Sequence, residues 1–173
     1  MLHQGARTDI KFNEMAYEEH PHGQSSLHHL RVRMVSQFPL DYMHLVCLGV
    51  MRKLLSLWIS GPLQTRLGSN LVKQISSNIL SIKCHMPKEF ARKGRPLSEI
   101  DRWKATEFRT FLLYTGPLVL KRNISDPLYN NFMLLCVGIS ILCSKQCRDL
   151  CDFAGQLLRL FVQHFGKPVE KIT

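Results

Sequence analysis

The longest apolar segment that also carries reactive side chains runs from Gln37 to Ser60, and those side chains are Asp41, His44 and Cys47. Pro39 belongs at or before a helix start, because its ring fixes φ and it has no N–H to donate. From Leu40 onward the spacing predicts a helix with one apolar stripe facing a core. The residues of that stripe are Leu45, Leu48, Met51, Leu55 and Trp58.

Asp41 and His44 are three residues apart, so on a helix they would lie on one side, within reach of each other or of a shared ligand. A structural interpretation is also open. An Asp in the first turn complements the positive end of the helix dipole, and a His on an apolar helix often serves as a hydrogen-bonded core side chain. The residues by themselves leave both interpretations open.

Four further segments have helical periodicity, whereas strand signals are weak throughout. Turns that contain Gly or Pro separate the segments. The sequence therefore predicts an all-α fold, an irregular bundle of about five helices. The four later segments begin near Ser69, Leu97, Asp126 and Leu150. The first ends before Pro87, the second is kinked or ended by Gly116-Pro117, and the last two end near Ser144 and at Gly166.

Composition divides the chain into three parts. Residues 1–36 are polar and are predicted to be irregular, residues 37–166 form the helical domain, and residues 167–173 form a frayed tail. Histidines between His20 and His29 could ligate Zn²⁺, but no helical His-x₃-His or paired cysteine spacing accompanies them.

The six cysteines suggest no disulfide framework. Cys143, Cys147 and Cys151 would share a helix face if the chain between them stayed helical, yet a structural metal normally needs a fourth ligand. We therefore predict no metal site in this chain and expect free thiols in a reducing compartment.

The net charge of +10 indicates an anionic partner, such as nucleic acid or a membrane surface. No uncharged apolar run reaches the roughly 18 to 20 residues that span a bilayer. The N-terminus also lacks the apolar core of a signal peptide. These features favour an intracellular protein, nuclear or cytoplasmic, without a membrane partner.

Positive charge is concentrated in the segment 83–96, which holds five Lys or Arg residues against a single Glu, together with Gly and two prolines. Such a loop can be a solvated surface, or it can bind phosphates, as mobile basic loops commonly do. We predict that it contacts nucleic acid. The candidate loop residues are Lys88, Arg92, Lys93 and Arg95.

Two segments carry a resemblance to a known family. Phe38-Pro-Leu-Asp-Tyr-Met-His-Leu-Val-Cys-Leu-Gly-Val-Met-Arg-Lys-Leu-Leu55 resembles the Asp-x-x-His block of animal CACTA (En/Spm-like) transposases and of host proteins derived from them. Arg102-Trp-Lys-Ala-Thr-Glu-Phe-Arg-Thr-Phe-Leu-Leu-Tyr-Thr-Gly-Pro117 resembles a second block, in the right order and at a plausible distance. The resemblance extends roughly from Arg7 to Gly166.

The resemblance implies roles for individual residues. Asp41 and His44 would be auxiliary catalytic residues that shape the site, while Arg102 and Lys104 would bind phosphates. Trp103 would stack on a displaced base, although its alternative role is that of a core or interface aromatic. Glu107 could be imagined as a metal-binding carboxylate, but a surface salt bridge is the expected role.

The resemblance also implies that this chain is the helical insertion region of an RNase H-like transposase. Two metal-binding aspartates, a cysteine knuckle and the catalytic Glu of that family are expected outside this fragment. The intact enzyme would use Mg²⁺ for phosphoryl transfer, whereas this fragment would bind DNA without cleaving it and could form a homo-oligomer. The alternative function is a domesticated helical module for protein–protein interaction.

Overall fold

The computed structural model describes residues 7–17, 26–30 and 32–165, and no strand occurs in these ranges. The predicted all-α class is confirmed. The chain forms two compact units, Met1–Asp41 and Tyr42–Thr173. The division therefore lies a few residues beyond the predicted boundary at residue 37.

In the first unit, the described residues include helical turns where an irregular segment was expected. Helix α1 spans Asp9–Asn13, and a 3₁₀ turn spans Ser26–Leu30. Asp9 Oδ1 accepts hydrogen bonds from the backbone N–H groups of Val35 (2.7 Å) and Ser36 (3.1 Å). This carboxylate thus ties two distant parts of the unit together. Histidines 20 and 22, candidates for zinc binding, lie outside the described residues.

The second unit begins with a continuous helical stretch that is π-helical at first and then α-helical. A π-helical segment, Met43–Met51, leads directly into α2, Arg52–Ser60. The prediction of a helix from Leu40 is therefore wrong by a few residues. The side chain of Tyr42, which precedes the π-helical segment, makes no capping hydrogen bond.

The π-helical hydrogen bonds run from i to i+5, so the buried face differs from the predicted one. Val46, Cys47 and Met51 are buried, whereas Leu45, predicted to face the core, is 46% exposed. Beyond Met51 the α-helical spacing resumes, and Leu55 and Trp58 are buried as expected.

The helical stretch Met43–Ser60 has the length and composition of a membrane span, with 18 residues and a mean hydropathy of 1.3. It carries Arg52 and Lys53 near its middle, where a bilayer would penalise charge. Core helices of water-soluble domains pass the same test. In this structure 33% of the stretch is buried, and Met51 and Leu55 have no exposed surface at all.

Helix α3, Ser69–Ile82, ends in a 3₁₀ turn, Lys83–His85, before Pro87 as predicted. After the basic loop the chain returns to pack against α3. The backbone N–H of Leu97 donates to Ser76 Oγ at 3.1 Å. A Cβ atom on Gly94 would lie only 2.7 Å from Ile79 Cγ2, so glycine permits this close approach.

The predicted third helix is a chain of four helical pieces. They are a 3₁₀ turn (Leu97–Arg102), α4 (Ala105–Thr110), a π-helical segment (Phe111–Thr115) and α5 (Gly116–Leu120). The single-helix prediction is wrong because Trp103 and Lys104 adopt extended backbone angles. The residues predicted to face the core are all buried: Ile100, Trp103, Phe111, Leu112 and Thr115.

The last two helices form the pair α6 (Asp126–Leu142) and α7 (Cys151–His164). They approach closely at Gly138, where an added Cβ would lie 3.0 Å from Leu158. The predicted central position of α6 is supported by Phe132, which is fully buried. The predicted apolar stripe of α7 is only partly covered, since Phe153 is 49% exposed.

The cysteines at spacing four do not share a helix face. A 3₁₀ turn (Lys145–Leu150) links α6 to α7, Ser144 is extended, and the turn is kinked at Cys147. The condition under which the three thiols would align is therefore not met. Cys143 and Cys151 are exposed free thiols.

Candidate nucleic-acid interface

Glu107, in the first turn of α4, connects the two basic segments of the chain. Its carboxylate accepts three hydrogen bonds: from Arg95 Nε (2.8 Å), from Arg95 Nη2 (2.7 Å) and from the backbone N–H of Lys104 (2.9 Å). The side chain of Glu107 is buried. Sequence analysis correctly anticipated a salt bridge here, but it was wrong to place the acid on the surface.

Arg95 completes the connection from the side of the basic loop. Its Nη2 also donates to the backbone oxygen of Arg102 at 2.6 Å, and its Nη1 lies 3.7 Å from Glu99 Oε2. Each nitrogen of the Arg95 guanidinium therefore has a partner within the protein, while 27% of the side-chain surface stays exposed. Among the predicted DNA-binding residues, Arg95 is thus placed as a positioning residue rather than as a free cation.

The charges around Glu107 keep its carboxylate ionised. Burial alone would raise the pKa of Glu107. The hydrogen bonds from Arg95 and from the Lys104 N–H, together with the positive charges of Arg95 and Arg92, outweigh burial and hold that pKa below its usual range. The same pairing raises the pKa of Arg95. A charged, bidentate pair of this kind has a defined geometry as well as a favourable energy.

A ring contact fixes the middle of the loop to the same helical stretch. Phe90 packs edge-on against Tyr114, with ring centroids 5.2 Å apart and an interplanar angle of 85°. Tyr114 lies in the π-helical segment that follows α4. The loop is therefore attached to one helical stretch at two points, Phe90 and Arg95.

The remaining predicted basic residues are solvent-exposed. We call this set the basic surface: Lys88, Arg92, Lys93, Arg102 and Lys104. The Arg95–Glu107 pair brings the segment that contains the first three next to the segment that contains the last two. Because their side chains reach solvent, they are available to phosphate groups.

Trp103 occupies the core. It is 5% exposed, and its ring lies 5.3 Å from that of Phe108 and 5.9 Å from that of Phe111. The structure therefore places it as a core aromatic, and the faces of its indole are covered. Its Nε1 is buried without a hydrogen-bond partner among the described residues. Stacking on a base would require this segment to open, and it stays a prediction.

The structure does not place Asp41 and His44 on one helix. Asp41 precedes the helical segment and ends the first unit, whereas His44 lies in the first turn of the π-helical segment of the second unit. The helical-spacing argument therefore does not apply to Asp41. Both side chains are exposed. Their auxiliary catalytic role remains a prediction from the resemblance.

A divalent metal, which the resemblance implies for the intact enzyme, needs a cluster of ligand side chains. The described residues contain no group of three or more His, Cys, Asp or Glu side chains that could hold a metal ion. The residues that the structure describes thus do not form the carboxylate cluster that two-metal chemistry needs, and we assign them no metal-dependent step.

The central role of Glu107 is the feature that sequence reasoning missed. One local signal was present, because an acidic residue three positions after a helix N-cap commonly accepts a hydrogen bond from the N-cap N–H. Applied to Lys104 and Glu107, that pattern predicts a helix that begins at Ala105 instead of one that continues from Leu97. Its partner Arg95 lies twelve positions earlier, beyond the reach of local rules.

No family model, no curated protein and no solved structure matches this chain.

Proposed function

We propose that this chain is a helical DNA-binding module of CACTA-transposase ancestry, and that the basic surface binds the phosphate backbone. One observation carries the proposal: the buried Glu107 carboxylate holds Arg95 and the Lys104 backbone together. This arrangement joins two sequence segments that are both rich in exposed cations. Exposed like charges on neighbouring segments repel one another, and an anionic partner relieves that repulsion.

Contacts of this kind recognise phosphate and not base sequence. Lys and Arg side chains that neutralise phosphates release counterions, so binding weakens steeply as salt rises. The basic surface offers five such side chains. We therefore expect binding to duplex DNA with a strong salt dependence and with little sequence preference from these residues alone.

The test is a salt-dependent titration of the protein with a fluorescently labelled DNA duplex. The triple variant Lys88→Ala/Arg92→Ala/Lys93→Ala and the double variant Arg102→Ala/Lys104→Ala should each bind more weakly. Each lost phosphate contact should also lower the slope of log affinity against log salt by about 0.9.

The matched control is Lys121→Ala/Arg122→Ala, which removes two exposed cations at the other end of the same helical stretch, about 25 Å from Lys104 if the stretch runs straight. This variant should retain most of the affinity and the slope of the wild type. If it loses as much as the double variant of the basic surface, the attraction is a property of net charge and the proposed interface is wrong.

The second candidate function is a helical protein–protein interaction module. An exposed apolar groove in the second unit favours it, independently of the basic surface. If the wild type is folded but does not bind DNA near physiological salt, the protein–protein interaction function replaces the DNA-binding one.

A further inference from the structure

A groove of about 410 Å³ lies between the start of the second unit and its last helix. One wall belongs to the π-helical segment and consists of Leu45, Gly49 and Val50. The other wall belongs to the end of α7 and includes Val162, which is 66% exposed. The groove therefore opens to solvent, although apolar side chains line most of it.

The π-helical segment creates this groove. Leu45 would face the core in an α-helix, but the i to i+5 hydrogen bonds turn it outward, and it is 46% exposed. Gly49 contributes no side chain to the wall, and a Cβ there would lie 3.0 Å from the backbone oxygen of His44. The groove is thus a consequence of this helix geometry and of glycine at one position.

The dimensions suit a helix of about two turns. The lining from Leu45 to Lys53 spans nine residues, which corresponds to a length of about 12 Å. A helix laid along it could place two or three apolar side chains into the groove, at the spacing that helix-in-groove recognition uses. Phe165, which is 38% exposed, supplies an aromatic contact surface, and its ring centroid lies 5.6 Å from that of the buried Phe161.

The charge around the groove selects the occupant. Lys53 lines it, and no ion pair to Lys53 occurs within residues 32–165. The helical stretch 43–60 contains no Asp or Glu, and on α7 the only acid is Asp152, in the first turn, at the end opposite to the groove. Arg159 adds a further exposed cation on α7. A second copy of this chain, with its net charge of +10, would be repelled.

We propose that this groove binds an amphipathic helix of another protein, one with an apolar face and acidic flanks. The apolar face would enter between Leu45 and Val162, and a carboxylate would pair with Lys53. Opposite charge at the rim would speed encounter and select the partner, while apolar burial would supply most of the affinity.

The experiment uses the full chain and a labelled 15-residue peptide that carries Leu at helical positions i, i+4 and i+7 and Glu elsewhere. Fluorescence anisotropy should show micromolar binding. A peptide with Lys in place of Glu, and one with Ser in place of Leu, should each bind at least about tenfold more weakly. Absence of binding by the Leu/Glu peptide, or equal binding of all three, would overturn the proposal.

Substitutions locate the site. Leu45→Glu and Val162→Glu change exposed residues and should each reduce binding by about tenfold or more. Lys53→Glu should reduce the preference for the acidic peptide over the basic one. The matched control is Leu118→Glu on α5, which is 68% exposed and lies outside the groove, and it should bind as the wild type does. Equal losses in all variants would point to net charge alone and refute the groove.

Three other occupants would each be recognised by a separate result, and each would refute the proposal. Self-association in sedimentation that Val162→Glu abolishes would identify a second copy. Binding to vesicles of anionic phospholipid, with no peptide binding, would identify a membrane surface. If the peptide binds only to the variant Val169→Glu/Ile172→Glu, the chain's own C-terminal segment occupies the groove in the wild type. Because none of these variants changes the basic surface, the outcome is separable from that of the DNA titration.

Discussion

At the scale of single residues, the ion pair between Glu107 and Arg95 attaches the basic loop to α4. A buried carboxylate is stable only when it is paired and hydrogen-bonded, and here a bidentate guanidinium and a backbone N–H meet that need. Removing one partner is costly, because the other charge stays buried without compensation.

Arg95→Met should therefore lower the free energy of unfolding, because the Glu107 carboxylate, with 2% of its side-chain surface exposed, would stay buried without its partner. Urea denaturation followed by circular dichroism would measure the loss. Lys93→Met, at an exposed position of the same loop, is the control and should change stability by no more than about 0.5 kcal/mol.

The same pair predicts a pH dependence of stability. The folded-state pKa of Glu107 lies below its usual value, so the unfolded chain takes up a proton first as pH falls. The stabilisation is thus complete above the usual glutamate pKa of about 4.3, and it is lost as pH falls through the lowered folded-state pKa.

Glu107→Gln, which cannot ionise, should lack this component. The difference in unfolding free energy between wild type and variant should be largest at neutral pH and should shrink as the pH falls below about 4. Denaturant titrations at several pH values would measure both proteins. A difference that is constant with pH would show that the charge of Glu107 contributes nothing.

At the scale of elements, two π-helical segments shape the second unit. Met43–Met51 turns Leu45 outward, and Phe111–Thr115 allows the helical path to pass through Gly116-Pro117. Pro117 has no N–H to donate, and its ring would crowd the carbonyl four residues earlier in a regular α-helix. The altered hydrogen bonding before it relieves that conflict, so the proline interrupts the helix pattern without ending the helical path.

Gly116→Ala tests the tight packing at this junction. An added Cβ would lie 2.5 Å from the backbone oxygen of Phe111 and 2.7 Å from Phe132 Cζ, so neighbouring atoms must move. We expect a loss of about 1–3 kcal/mol in unfolding free energy, as for other overpacked sites.

Gly155→Ala on α7 is the matched control for this substitution. The nearest atom to its Cβ would be Arg159 Nη2, 3.8 Å away, so the new methyl group has room. The variant should gain about 0.5–1 kcal/mol, because alanine loses less backbone entropy than glycine in a helix. Thermal unfolding would measure the stability of both variants against the wild type. If Gly116→Ala were more stable than the wild type, the prediction of tight packing at this junction would be wrong.

At the scale of the whole molecule, the net charge and the two exposed surfaces define what the protein can bind. The net charge of +10 attracts polyanions from any direction, while the Arg95–Glu107 pair gathers part of that charge at one place. The apolar groove lies elsewhere, on residues that the basic surface does not include. One folded unit can therefore offer two separate binding surfaces.

DNA cleavage by this chain alone is not expected, because two-metal phosphoryl transfer needs several converging carboxylates. Purified protein incubated with supercoiled plasmid and Mg²⁺ or Mn²⁺ should leave the plasmid intact. Nicking that disappears in Asp41→Ala, but persists in the control Asp101→Ala, would contradict this expectation and would give Asp41 a catalytic role.

Much of the fold followed from the sequence, because helical periodicity records which side chains avoid water. The all-α class is confirmed, and the core positions Ile100, Phe111, Leu112 and Thr115 are buried as predicted. The exposed cations of the basic loop also followed from composition, since charged side chains remain in water unless a partner buries them.

What only the tertiary structure decided depends on contacts between residues distant in sequence. Periodicity assumes one helix geometry, so it could not reveal the π-helical segments that expose Leu45 and form the groove. Local rules likewise could not pair Arg95 with Glu107, because that bond exists only after the loop folds back on α4. The sequence by itself determined which residues are apolar and which are charged; the packing of the helices decided which of them meet.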